Sequence, residues 1–354
     1  NNLECFINLV KLFGAMLKYL NYFIIFLSLN FVFSTQALSA DCSAVSGTTE
    51  TISSDCEVLN ISGDSSNVTI NSGTTISSAD ADSNDAVSTG NSTNTIITNN
   101  GIISAGKSRA LRTSGGHIAE LINNGTITAA GTNSGGNEGV RNGGTITTLT
   151  NAGTISAAVN YGLNNTSSGT ITTIINSGTI SASGHSGLRN KGIIRTITNT
   201  GTISASARYG LYNDTSGTIE TLTNSGTISA GTNYAIANTG SIGTFTNTGT
   251  LTPTGNTGIS NQGSITTFNN LQGKSGSNPV TFIKSLPTNY NVIVNSGSDD
   301  YGQIEFSSFS GTTTFGVDKD RSTLADVDTT YSLVLKGLSR SDIVSGFSGP
   351  LGVS

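Results

Sequence analysis

Residues 145–190 read TITTLTNAGTISAAVNYGLNNTSSGTITTIINSGTISASGHSGLRN. The stretch contains the same three short apolar segments twice, in the forms ITTLTN, GTISA and GLxN, with Gly, Asn and Ser between them. None of these segments is long enough for a helix. Three short strands in a unit of roughly 24 residues are typical of one coil of a solenoid, so this stretch decides the fold.

The same unit recurs on both sides of that stretch. The motif Asn-x-Gly-Thr-Ile and its variants begin at Asn71, Asn99, Asn123, Asn151, Asn176, Asn199, Asn224 and Asn247, the first of these being a looser form. The motif glycines recur every 23 to 28 residues. A second apolar row runs in step through Val87, Leu111, Val140, Leu163, Leu188, Leu211, Ile236 and Ile259. A third row precedes the asparagines at Leu121, Leu149, Ile174, Ile197, Leu222, Phe245 and Phe268.

A single coil of this kind cannot bury its own apolar residues, so the coils must stack. Stacking at about 4.8 Å pairs each backbone group with the coils above and below. The repeat therefore predicts an all-β fold, a right-handed parallel β-helix (a three-faced solenoid) with capped ends. Like side chains should form ladders inside it, one of them made of Ile103, Ile127, Ile155, Ile180, Ile203 and Ile228.

The Asn-x-Gly pair of each motif has two structural interpretations. The asparagines can form an internal ladder at one corner, because stacked amides hydrogen-bond along the stack. Alternatively, the pair is ordinary turn chemistry. In both cases the glycine is expected to supply a positive φ at the corner.

The first forty residues carry the pattern of an export signal. Met16 is followed by Lys18, by a mostly apolar run from Tyr22 to Phe33 and by small residues near Ala40. This order predicts a cleaved secretory signal peptide. We divide the chain into residues 1–40 (upstream residues and signal), 41–66 (N-terminal cap), 67–275 (coils of about 23–29 residues) and 276–354 (a C-terminal β cap, expected to be truncated).

Cysteine content and charge limit the classes of function that the chain can have. Cys42 and Cys56 follow the signal, and an even pair in an exported domain predicts one disulfide. Charged residues make up 10% of the chain and the pI is about 5.0, which argues against nucleic-acid binding. No cofactor-binding or metal-binding motif is recognised, and calcium-binding nonapeptide repeats are missing from the sequence.

The order of signal at Met16–Ala40, coils from about Asn71 to Gly273 and the segment LPTNYNVIVNSGSDDYGQIEFSSFSGTTTFG resembles the passenger domain of type V secretion autotransporters. The resemblance implies an adhesin-type, pectin-lyase-like parallel β-helix on the cell surface, or released outside, of a Gram-negative bacterium. It also implies an outer-membrane β-barrel after the passenger. The printed sequence has no stretch with the pattern of such a barrel, so the chain is expected to lack it.

Two kinds of enzyme, a serine protease and a glycosidase, have weak support in the sequence. The run Gly63–Ser66 (GDSS) is similar to a serine-protease nucleophile loop, but the chain has only His117 and His185 as bases, both in repeat turns. A glycosidase needs two carboxylates at a set separation. The regular coils supply few acids, namely Glu120, Glu138, Asp214 and Glu220. The chain is therefore predicted not to be an enzyme, with a carbohydrate-active β-helix as the alternative.

One outward row is a candidate binding strip. The residues after the GLxN apolar position should point outward, and they include Arg112, Arg141, Arg189 and Tyr212. Two positions before the apolar residue stand Arg109, Tyr161, Tyr209 and Tyr234. Such a face is suited to an acidic polysaccharide or a host glycan. Alternatively, it only keeps the rod soluble.

Two further surface functions remain open. Self-association is a variant of the adhesive role, because a ladder protein is prone to end-to-end contact unless both ends are capped. Outward threonines such as Thr145, Thr147, Thr170, Thr172 and Thr218 suggest an ice-binding array. The unequal repeat lengths argue against a flat array.

Overall fold

The computed structural model describes residues 41–78, 84–132, 136–254, 257–273, 278–295, 300–323 and 331–344. These residues form three parallel sheets, which we name sheets A, B and C. Each regular coil contributes one strand to each of the three sheets. The predicted signal peptide at Met16–Ala40 lies outside the described residues. The prediction of an all-β, three-faced parallel solenoid is confirmed, while its right-handed winding stays a prediction.

The strands follow the repeat. Sheet A contains Val45–Ser46, Leu59–Ser62, Val87–Thr89, Arg109–Thr113, Glu138–Asn142, Tyr161–Asn165, Ser186–Asn190, Tyr209–Asn213, Ile236–Asn238, Ile259–Asn261, Val280–Ser285, Ile304–Ser310 and Leu335–Lys336. Sheet B contains Thr49–Ile52, Asn67–Ile70, Thr95–Asn99, His117–Asn123, Thr145–Asn151, Thr170–Asn176, Ile193–Asn199, Thr218–Asn224, Ser241–Asn247, Ser264–Asn270, Asn289–Val292 and Thr314–Val317. Sheet C contains Thr75–Ser78, Ile102–Ala105, Thr126–Ala129, Thr154–Ala157, Thr179–Ala182, Thr202–Ala205, Thr227–Ala230 and Thr250–Pro253. A short 3-10 helix spans Arg340–Asp342.

The core is a set of side-chain ladders. In sheet C the predicted isoleucine ladder is in register from Ile103 to Ile228 and extends to Ile76 at one end and Leu251 at the other. Its isoleucines are fully buried. Burying one such side chain stabilises the fold by about 1.5–3 kcal/mol. Stacking therefore supplies the hydrophobic stabilisation that one coil lacks.

Coil length varies at some corners and is constant at another. Between sheets B and C the corner has two residues in each regular coil, as at 152–153, 177–178 and 200–201. Between sheets A and B, four-residue corners at 166–169 and 214–217 alternate with two-residue corners at 191–192 and 239–240. Sheet C keeps its register throughout, so the unequal repeat lengths do not disturb it.

The motif asparagines form the predicted amide ladder at the corner between sheets B and C. Nδ2 of Asn123 donates to Oδ1 of Asn151 at 2.7 Å, and the pattern continues in register from Asn99 to Asn270. Asn71 lies outside this ladder, because Ile70 rather than Asn71 pairs with Asn99. The ladder interpretation is therefore correct for the regular coils.

The predicted role of the motif glycines was wrong. Among them only Gly73 has a positive φ. A Cβ added to Gly125, Gly153 or Gly178 would instead overlap the carbonyl oxygen of the motif glycine one coil earlier. Glycine is needed here because neighbouring corners approach each other too closely for a side chain.

A second amide ladder at the corner between sheets A and B was not predicted. Nδ2 of Asn142 donates to Oδ1 of Asn165 at 2.7 Å, and the series continues through Asn190, Asn213 and Asn238 to Asn261. All of these side chains are fully buried. The terminal asparagine of each GLxN segment was visible in the sequence as a row, but it was not recognised as an internal one.

Within the described residues, both terminal segments add strands to the stack. Residues 41–66, predicted as a cap, already contribute strands to sheets A and B, and Cys42 and Cys56 form a disulfide there with Cα atoms 5.1 Å apart. Past residue 275, sheets A and B continue while sheet C stops at Pro253. The core of this last part is aromatic: the ring centroids of Phe282 and Phe306 are 5.4 Å apart, and Tyr290 packs against Phe306 at 5.9 Å.

Candidate binding strip on sheet A

The outward row predicted from the sequence exists as one line along sheet A. Parallel pairing places Arg112 beside Arg141, and Arg189 beside Tyr212, with Asn164 between the two pairs. The row is not uniformly exposed. Asn164, Ala237 and Ser260 are buried, whereas the three arginines and Tyr212 are partly exposed. Adjacent coils therefore bring the four predicted residues onto one face.

The three arginines do not form a bare cationic row. Arg112 lies 3.4 Å from Asp85, Arg141 lies 3.2 Å from Glu138, and a third arginine, Arg189, has its own carboxylate partner. Asp85 and Glu138 have side chains only 8% and 4% exposed. Buried carboxylates need such partners, because an unpaired buried charge is costly. The first half of the strip is consequently an ion-pair network, in which acidic ligands find few free cations.

The network around Glu138 also binds polar neighbours. Arg109 lies 3.6 Å from Glu138 and 3.7 Å from Asp85, and Asn164 donates to Glu138 at 2.6 Å. A polar depression of about 340 Å³ opens beside Asp85 and Arg112. Glu138 was considered only as a candidate catalytic acid in the sequence. Its alignment with Arg109 and Tyr161 in neighbouring repeats was the signal that would have placed it in this strip.

The second half of the strip is aromatic. We name Tyr161, His185, Tyr209, Tyr212 and Tyr234 the aromatic ledge. The ring centroids of Tyr161 and His185 are 5.0 Å apart, those of Tyr209 and Tyr212 are 5.2 Å apart, and Tyr209 stacks on Tyr234 at 6.1 Å. All five side chains are partly exposed. The ledge is thus a continuous aromatic surface that extends across four coils.

Arg189 and Asp214 anchor the ledge. Arg189 Nη2 donates to Asp214 Oδ2 at 2.6 Å, and its Nη1 donates to the Tyr161 hydroxyl at 2.8 Å. The guanidinium carbon lies 4.9 Å from the Tyr161 ring centroid and 5.9 Å from that of Tyr212. Arg189 therefore holds two rings through cation–π contacts while its charge is balanced by Asp214.

The electrostatics of the ledge follow from this packing. Burial raises the pKa of Tyr161 and of Tyr212. Burial alone would also raise the pKa of Asp214, but hydrogen bonds from Arg189 and from the backbone of Thr215 outweigh it and lower the pKa. Burial, assisted by Arg208 and Arg189, lowers the pKa of His185 to about 4. At pH 7 His185, Tyr161 and Tyr212 of the ledge are therefore neutral.

The residues considered for catalysis are engaged elsewhere. In the Gly63–Ser66 run, Ser65 is exposed and its backbone N–H donates to the carbonyl of Thr93 at 2.7 Å, while Ser66 Oγ donates to the backbone carbonyl of Ser62 at 3.0 Å. His117 Nε2 contacts the Thr147 hydroxyl at 2.7 Å. Glu120 pairs in register with Thr148, so four coils separate it from Glu220. The structure does not bring these acids together. In the described ranges no group of three or more His, Cys, Asp or Glu side chains could hold a metal ion.

The chain was compared with protein families, with curated proteins and with solved structures. None of the three comparisons finds a match. The assignment of a function therefore rests on the sequence and on this strip. As far as the chain is described, it has no helix with the length and hydropathy to cross a bilayer.

The threonine rows of sheet B are interrupted. Ile193 stands in the row of Thr145, Thr170 and Thr218, and its side chain is 41% exposed. The neighbouring positions Arg195 and Glu220 form an exposed ion pair at 2.6 Å. An array of hydroxyl groups on this sheet would need an unbroken row of threonines. Ile193, Arg195 and Glu220 interrupt the rows.

Proposed function

We propose that this chain is the passenger of an autotransporter-type surface protein and acts as an adhesive and structural rod outside a Gram-negative cell. The observation that carries the proposal is the strip on sheet A, where ion-paired arginines and a tyrosine-rich ledge lie in line on successive coils. The export signal predicted at Met16–Ala40 supports the location.

The interior supports a mechanical role. Two amide ladders and several aliphatic ladders hold neighbouring coils together through buried hydrogen bonds and close packing. In a stack of this type each coil depends on its neighbours, and the outer faces are free to vary. A rod can therefore present a ligand-binding face without a separate domain. On this proposal the strip is the adhesive face, and the core keeps it straight and rigid.

Adhesion can be measured with beads coated with the purified full chain. We expect these beads to be retained on polysaccharide-coated or bacterial surfaces, or to aggregate with each other, more than albumin-coated beads. A strip variant that combines Arg112→Ala, Arg141→Ala and Tyr212→Ala should lower retention. A matched variant on sheet B, Arg195→Ala with Glu220→Ala, should behave as wild type, because that ion pair is exposed and lies on another face.

Location is tested separately. Antibodies against the chain should label intact cells that express its gene, and external protease should remove the label. Retention equal to that of albumin on all surfaces, together with no bead aggregation, would contradict the adhesive role. Labelling that appears only after cells are permeabilised would contradict the surface location.

A further inference from the structure

We propose that the aromatic ledge binds an extended, neutral glycan chain that lies along the solenoid axis. This inference rests on the proposed adhesive function and names its ligand class. The ledge crosses four coils, from Tyr161 to Tyr234, which at the spacing of stacked strands amounts to about 15 Å. The rings follow each other in a line, so a linear chain of sugar rings can contact several of them at once.

The first argument is the surface chemistry of the ledge. Sugar rings present flat patches of C–H groups, and an aromatic face is their usual partner because it is apolar and carries negative charge density. Tyr209 and Tyr234 are stacked with nearly parallel rings, 14° between their ring planes. Both remain partly exposed although neighbouring rings pack against them. The protein thus keeps an aromatic surface open between the ion pairs of Asp85 and Glu138 on one side and the buried Ala237 and Ser260 on the other.

The second argument is the arrangement of polar groups beside the rings. Sugar hydroxyls donate and accept, so a site for them needs both kinds of partner. Arg189 supplies donors and Asp214 supplies acceptors, and their side chains are 20% and 15% exposed. Because the two charges are in contact at 2.6 Å, the pair offers hydrogen bonds without a net charge. This balance favours a neutral glycan over an acidic one.

The third argument is rigidity. Tyr161 is held by the hydrogen bond from Arg189, and Tyr212 is packed between the Arg189 guanidinium and the Tyr209 ring. His185 contacts the hydroxyl of Ser186 through Nδ1 at 2.8 Å. Side chains that are already fixed lose little entropy when a ligand binds. The ledge is therefore pre-organised rather than formed by the ligand.

Binding can be measured by isothermal titration calorimetry of the full chain with defined hexasaccharides. The neutral probes are cellohexaose and mannohexaose, and the acidic probe is hexagalacturonic acid. We expect a neutral hexamer to bind and the acidic hexamer to bind at least about tenfold more weakly. Tyr209→Ala should raise the Kd for the neutral hexamer by about fivefold, because one stacked aromatic pair contributes about 1 kcal/mol. Tyr209→Phe should keep binding, because the ring is retained.

Circular dichroism and thermal unfolding identify a variant that fails to fold, and Arg195→Ala with Glu220→Ala serves as the folded control. Binding of only the acidic hexamer, especially if Arg208→Gln abolishes it, would overturn the ligand class. Binding of no hexamer, or equal binding by folded Tyr209→Ala, would overturn the site. Beads that still adhere in either case would leave the adhesive function standing, so the two failures are distinguishable.

Discussion

His185 lies between aromatic rings and two arginines, and this position decides its protonation. Its Nε2 lies 3.3 Å from Nη1 of Arg208, and a guanidinium can only donate, so Nε2 must accept and the proton must be on Nδ1. The neutral form is therefore the one that fits the ledge. The lowered pKa, about 4, has burial as its main cause and the two arginine charges as further ones.

The titration of His185 follows from this. Between its ordinary value of 6.5 and about 4, the unfolded chain binds a proton here that the folded chain does not. The free energy of unfolding should therefore decrease as the pH falls through that window. NMR titration should show a midpoint near 4, and Arg208→Gln should raise it, because a neighbouring positive charge is removed. A midpoint at or above 6.5 in the wild type would contradict the packing described here.

The motif glycines allow neighbouring corners to approach closely, because they have no side chain. We expect Gly178→Ala to lower the free energy of unfolding by about 1–3 kcal/mol, because the added methyl group would overlap the backbone of Gly153 and Ala152. Chemical denaturation measures the change. Ser177→Ala, at the exposed neighbouring position, is the control and should have little effect. Equal stability of the two variants would contradict the prediction, because it would show that neighbouring corners can move apart at little energetic cost.

At the scale of the strand and its corner, the amide ladders bind one coil to the next. Asn199 accepts from Asn176 and donates to Asn224, both at 2.7 Å, and it also donates to the backbone of Thr227. The side chain is fully buried, so water cannot replace a lost partner. Such a chain of amides also fixes the register, because a one-residue slip would place other side chains at the corner.

Removal of one member of the ladder should have a large effect for a single side chain. We expect Asn199→Ala to lower the free energy of unfolding by about 1–3 kcal/mol, since neighbouring amides are left unpaired. Asn199→Asp should be worse at neutral pH, because the carboxylate is buried and cannot donate. Thr198→Ala, on the same strand and partly exposed, is the control. Denaturation curves in which Asn199→Asp equals Thr198→Ala would refute the ladder.

At the scale of the whole stack, stability is a sum of contacts between neighbouring coils. In such arrays local opening begins where a coil has a neighbour on one side only. The disulfide between Cys42 and Cys56 lies beside the first described strands of sheets A and B. It closes a short loop, and in the chain-entropy model this stabilises by about 3 kcal/mol.

The effect of the disulfide should therefore be local. In the double variant Cys42→Ser with Cys56→Ser, amide hydrogen exchange should become faster in Val45–Ser46 and Leu59–Ser62. Exchange in Thr202–Ala205, several coils away, should stay as in the wild type. Uniformly faster exchange along the chain would instead indicate that the solenoid unfolds as one cooperative unit.

The repeat in the sequence was sufficient to predict the architecture and the buried apolar rows. A residue such as Ile155 recurs in every coil at the same place, and a parallel stack converts equal sequence position into direct contact. Periodicity therefore predicted the three sheets and the isoleucine ladder, and it offered the amide ladder through Asn151 as one of two interpretations. It also placed Arg112, Arg141, Arg189 and Tyr212 on one face. The sequence also predicted β structure in 276–354, where sheets A and B continue.

Only the tertiary structure decided what lies beside these residues. Glu138 stands where other repeats carry Arg or Tyr, and it pairs with Arg109 of the preceding coil and with Arg141 of its own strand. Asp214 reaches Arg189 of the preceding coil from a corner of unequal length. Glycine is required at position 178 because the neighbouring coil approaches it closely. This distance between coils cannot be inferred from the φ preference of glycine. Periodic contacts can be read from a repeat because each coil copies its neighbour. Contacts between unlike residues depend on three-dimensional packing, and in this protein they form the candidate binding site.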